Sequence, residues 1–136
     1  MEQQQQPFGL PREKYRTFKY LAGFVRECER LGLTDEDLQE LELIILADPE
    51  AAPVIAGTGG LRKLRFSPSR WRRGKSGALR VGYAHDARLE KVLVLAAYAK
   101  NDKANLTPDE RREIKRILAA LWKSEGRQKG GDHGDD

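Results

Sequence analysis

The chain reads as an α+β protein with the element order β-α-α-β-β-β-α, and three observations predict that class. Two amphipathic helical stretches sit back to back in the first half. Three strand-like stretches follow with no helix between them. A strongly signalled helix closes the pattern.

The elements follow in order. Tyr15–Tyr20 (YRTFKY) alternates aromatic and cationic side chains and reads as a short strand, although it could equally begin the first helix. Leu21, Phe24, Val25, Cys28 and Leu31 keep helical spacing, and Gly32 stands where a helix stop belongs. Thr34 caps a second helix whose acidic first turn suits the positive end of the helix dipole. Leu38, Leu41, Ile45 and Leu46 form its apolar stripe, and Asp48-Pro49 ends it. With Gly32-Leu33 as the only link, these two helices make a hairpin. Residues 51–60 (AAPVIAGTGG) are a loop; Gly57, Gly59 and Gly60 are turn glycines, since no G-x-x-x-x-G-K pattern follows.

Residues 61–66 (LRKLRF) alternate as a strand, with Leu61, Lys63 and Arg65 on one face and Arg62, Leu64 and Phe66 on the other. A basic loop, residues 67–77, leads to a strand at Leu79–Ala84 and a turn at His85–Arg88. Residues 91–100 (KVLVLAAYAK) are apolar enough for a central strand covered on both faces. A polar loop, residues 101–106, follows. Thr107-Pro108-Asp109-Glu110 then starts a helix to about Ser124, with Ile114, Ile117, Leu118, Leu121 and Trp122 as its stripe.

The 136 residues amount to one domain, expected over residues 13–125, with disordered tails at 1–12 and 126–136. No apolar run approaches the roughly 20 residues of a membrane helix, and no basic-then-apolar leader opens the chain. One cysteine, Cys28, excludes an internal disulfide and a cysteine metal cluster. Two histidines, His85 and His133, are too few for a histidine metal site, so neither metal nor cofactor is expected. A reduced, cytoplasmic setting fits this cysteine usage. The net charge of +4 conceals an asymmetry. Residues 1–60 hold 6 Lys/Arg against 11 Asp/Glu, whereas residues 61–91 hold 10 against 2. A basic block beside an acidic first half points to a polyanionic partner for one face.

The helical hairpin followed by GTGGLRKLRF, GKSGALRVGY and LAAYAKNDKANLTPDE resembles the RelE/ParE superfamily of bacterial type II toxins, in particular its HigB-like branch. The match spans about Pro49 to Leu121. The resemblance implies a small, mainly antiparallel four-stranded sheet packed against the hairpin, plus a C-terminal helix. It also implies a metal-independent endoribonuclease, an mRNA interferase cutting messenger RNA on the small ribosomal subunit and neutralised by a helix-turn-helix antitoxin. The same fold also serves toxins that inhibit gyrase without nuclease residues. A catalytically decayed module binding only RNA or antitoxin is a further alternative.

Metal-free RNA cleavage must deprotonate the 2′-hydroxyl, stabilise a phosphorane and protonate the 5′-oxygen. The resemblance places Lys63, Arg65 and Arg80 on catalytic or phosphate-binding positions, and Lys100 near the basic end of the last strand. Arg65 and Arg80 suit transition-state charge, because the guanidinium fork matches phosphate. Lys63 or Lys100 is the candidate for proton transfer, and Tyr98 for stacking on a base or orienting the 2′-hydroxyl. Arg62, Trp71, Arg72, Arg73 and Lys75 are expected RNA contacts. Plainer roles stand beside these: an exposed strand face for Lys63 and Arg65, an ion pair to a helix acid for Arg80, packing for Trp71. The chain departs from the family pattern at Asn101, where an Arg is usual, and has no tyrosine after Tyr98.

Overall fold

The computed structural model describes residues 16–71, 78–99 and 106–132. Its elements are β1 (Thr17–Tyr20), α1 (Ala22–Leu31), α2 (Asp35–Ala47), β2 (Arg62–Phe66), β3 (Leu79–Asp86), β4 (Lys91–Ala99) and α3 (Pro108–Asp132). The four strands form one mixed sheet in the order β1-β4-β3-β2. β1 lies parallel to β4, and the other two pairings are antiparallel.

Local chemistry sets the helix ends. Gly32 takes φ +73°, and the N–H groups of Gly32 and Leu33 donate to the carbonyls of Glu29 and Cys28. That is a Schellman closure of α1, which requires a left-handed residue. Thr34 and Asp37 form a reciprocal capping box on α2: Asp37 N donates to Thr34 Oγ1 (3.2 Å) and Thr34 N to Asp37 Oδ2 (2.8 Å). Thr107 and Glu110 repeat the device on α3.

The sheet is covered on both faces. Phe24, Cys28, Leu41 and Ile45 of the hairpin pack on Phe66, Val81, Tyr83, Val92, Val94 and Ala97. On the other face Leu118 of α3 packs with Leu61, Ala84 and Leu93, joined by Ile114, Leu121 and Trp122. Val92, Leu93 and Val94 have no exposed surface, as the central position of β4 requires.

Three boundaries differ from the sequence reading. The first strand starts at Thr17. β3 runs on through His85 and Asp86, because both pair with β4, so the turn moves to residues 87–90. α3 continues past Ser124 to Asp132 and takes in residues 126–132, which read as tail. The reason lies in Glu125, 3% exposed and held by Lys19 Nζ (2.8 Å) and Lys91 Nζ (2.7 Å). That anchor ties the helix to β1 and β4 just beyond the expected end. The predicted tail at 1–12 and the end of the second one lie outside the described residues.

Candidate nucleic-acid interface

Strand pairing gathers the cations. Lys63 and Arg65 project from the same face of β2. Arg65 stands opposite Arg80, and Arg80 opposite Tyr98, so Arg65, Arg80 and Tyr98 form one row across three strands. Residues directly opposite in such a row have Cβ atoms about 4.5–5.5 Å apart. Lys63 stands opposite Gly82, one pleat away on the same face.

Tyr98 reaches this face through an irregularity. Leu93 and Leu95 pack towards α3, and strict alternation would turn Tyr98 to the hairpin side with Val92 and Val94. Gly82 pairs with Ala96 but Tyr83 pairs with Val94, which leaves Leu95 as an extra residue in β4. The bulge shifts the phase, so Ala97 faces the hairpin and Tyr98 the α3 side.

The face is only partly covered. Arg111 near the start of α3 and Tyr98 line one cleft, while Glu125 meets Lys91. The helix therefore runs antiparallel to β4: Arg111 to Glu125 advances about 21 Å along a helix, and Lys91 to Tyr98 about 23 Å along a strand. The cleft, about 410 Å³, opens where α3 begins. Its walls are Pro53, Val54, Ile55 and Ala56 of the loop before β2, Lys63, Tyr98, Leu106 and Arg111.

The side chains divide by role. Among the described residues no hydrogen bond or ion pair engages the Lys63 ammonium, and no carboxylate pairs with Arg80, whose Nη1 donates to the Ala78 carbonyl (3.3 Å). Arg65 is exposed. Arg62 projects from the opposite face and is structural: its Nη1 donates to the carbonyls of Glu50 and Ala52 (2.8 Å each). It is not brought together with the cluster. Trp71 ends a short 3-10 turn, Ser69–Trp71, half-buried, with its N–H donating to Pro68. Arg72, Arg73, Lys75 and Lys100 lie outside the described residues, as does Asn101.

Two further clusters sit apart from this face. Arg70 grips Asp37 through Nε (3.0 Å) and Nη2 (2.7 Å) and also donates to the Gly32 carbonyl, so the root of the basic loop is fastened to the hairpin. Hydrogen bonding from Arg70 holds the Asp37 carboxyl below the usual carboxylate range. His85 is a wedged strand residue rather than a turn residue. Arg16 Nε donates to its Nε2 (3.2 Å), and its Nδ1 contacts Glu50 (3.2 Å). Cys28 is a core residue whose thiol burial pushes up to about 11.

Sequence reasoning missed Arg111, which it did not single out. Its Nη1 donates to the Ala56 carbonyl (3.2 Å), and its Nε is buried without a partner among the described residues. The only signal was its place one turn after the Thr107 cap. Among the described residues no three His, Cys, Asp or Glu side chains gather as a metal site, and no helix is long and apolar enough to cross a membrane. No protein-family model matches the chain.

Proposed function

We propose that this chain is the toxin of a type II toxin–antitoxin pair, acting in the cytoplasm as a metal-independent endoribonuclease on ribosome-bound messenger RNA and silenced by a helix-turn-helix antitoxin. The observation that carries the reading is the row Arg65–Arg80–Tyr98 with Lys63 beside it on one open sheet face. Like charges directly opposite across a strand pair cost stability. A phosphate placed between two guanidinium forks turns that cost into binding.

The chemistry follows from the side chains. Lys63 takes the 2′-hydroxyl proton, with Tyr98 orienting that hydroxyl. The 2′-oxygen attacks phosphorus while Arg65 and Arg80 carry the charge that develops on the phosphorane. The bond from phosphorus to the 5′-oxygen breaks, the 5′-oxygen takes a proton from solvent, to which Lys63 then returns the proton it accepted, and a 2′,3′-cyclic phosphate and a 5′-hydroxyl remain.

The test is induced expression in bacteria with mapping of messenger-RNA 5′ ends. New ends phased to codons are expected in translated messages. Arg80→Ala is expected to lose cutting by about a hundredfold or more, the usual effect of removing one transition-state donor. Growth arrest with intact messages would replace this reading with gyrase inhibition. Neither arrest nor cuts would leave a decayed binding module.

A further inference from the structure

The cleft beside the cation row holds more than the cleavage chemistry requires. Its volume, about 410 Å³, falls in the range of small-molecule sites, roughly 300–1,000 Å³. One wall is apolar: Pro53, Val54, Ile55 and Leu106. Val54 is 48% exposed, which leaves an apolar surface open to an incoming group. Lys63, Tyr98 and Arg111 also line the cleft. An apolar shelf beside cations and one phenol matches a nucleobase with its phosphate better than it matches a bare anion.

Arg111 is built into place. Gly57, at φ +79°, makes a turn that favours glycine, and the Arg111 stem packs beside it. The Ala56 carbonyl holds Nη1, and Nε is buried with no acceptor among the described residues. A guanidinium so tethered has donors left to spend on an oxygen in the cleft.

We propose that this cleft is the subsite for one unpaired nucleotide of the RNA, with Arg111 as its specificity-determining residue. The inference rests on the RNA reading above. The base lies on the Val54–Ile55 shelf beside Tyr98, and Arg111 donates to an oxygen of that nucleotide. Arg111 is a binding residue and takes no part in proton transfer.

The full chain, labelled for nuclear magnetic resonance, is titrated with each of the four nucleoside 3′-monophosphates and, separately, with inorganic phosphate. Nucleotides are expected to shift the amides of Ile55, Lys63, Tyr98 and Arg111, with the four bases binding unequally. Phosphate alone should bind at least tenfold more weakly. Arg111→Gln should weaken nucleotide binding about tenfold and level the differences between bases. Arg112→Gln, on the exposed neighbour, should change neither. Val54→Glu, an exposed substitution at the mouth, should weaken binding even if Arg111→Gln fails to fold. Phosphate binding as tightly as nucleotides, shifts confined to other surfaces, or unchanged affinity in Val54→Glu would overturn the subsite. Nucleotide binding here by a chain that cuts no message would uphold the subsite and overturn the nuclease reading. Cutting with no nucleotide shifts in the cleft would do the reverse.

Discussion

Arg62 and Lys63 are chain neighbours with opposite duties, because successive strand residues face opposite ways. Arg62 holds the loop before β2 by two carbonyls, whereas no partner engages the Lys63 ammonium among the described residues. Arg62→Ala should therefore cost about 1–2 kcal/mol, the lower part of the range for hydrogen bonds to charged groups because one is exposed. A thermal melt would read that loss, with cutting by the folded protein unchanged. Lys63→Ala should do the reverse, abolishing cutting without moving the melt. A destabilised Lys63→Ala would assign this lysine to the fold. Asp37 belongs to the same scale. It is 2% exposed and serves both the α2 cap and Arg70. Asp37→Ala should cost about 2 kcal/mol, a lost cap of about 1 kcal/mol and a charge-assisted hydrogen bond whose other partner, Arg70, returns to solvent. A change below about 1 kcal/mol in denaturant unfolding would show that the clamp adds nothing beyond an ordinary cap.

Among the elements, α3 decides which part of the sheet is open. Its stripe covers Leu61, Ala84 and Leu93, and its start stands by a cleft that Lys63 and Tyr98 line. Glu125 fixes it at the far end. The hydrogen bond from Lys19, then that from Lys91, holds the Glu125 carboxyl below its ordinary value, as Arg70 does for Asp37. A carboxyl with a depressed folded pKa contributes stability above the unfolded value, about 4, and loses it as pH falls through the folded value. The midpoint of thermal unfolding should thus hold steady from neutral pH to about 5 and drop below about 4. Asp37→Asn with Glu125→Gln should lower the midpoint at pH 7 and flatten the acid drop. An acid drop as steep in the double variant as in the parent would assign it to other carboxylates.

Over the whole molecule, charge is sorted by region. The acidic hairpin lies on one face of the sheet, and the cation row on the other. A polyanion approaching from the α3 side meets Lys63, Arg65 and Arg80 without crossing the acidic helices. Ribosome association should therefore weaken steeply between about 50 and 200 mM salt, and each phosphate-contacting Lys or Arg replaced by Gln should make the log–log slope shallower by about 0.7–0.9. Co-sedimentation with ribosomes at several salt concentrations measures this. Salt-insensitive binding would remove the basic face from the interaction.

The sequence by itself determined the element order, the three helix starts, the stops of the first two helices, and the division of residues 61–66 into two faces. Each depends on neighbours a few residues apart: the Thr34 and Thr107 caps, the Gly32 closure, the period-two pattern of LRKLRF. With the family resemblance it also singled out Lys63, Arg65, Arg80, Tyr98 and Lys100, the last of which lies outside the described residues. Only the tertiary structure decided how the first four meet. The parallel seat of β1 beside β4, the extra residue at Leu95 that turns Tyr98 to the cationic face, and the arrival of Arg111 at the Ala56 carbonyl all join positions far apart in the chain. The extent of α3 was decided the same way, by two lysines on the sheet that hold Glu125. Local periodicity carries no record of such pairings, because a strand's register and a helix's docking are chosen by the surfaces they bury.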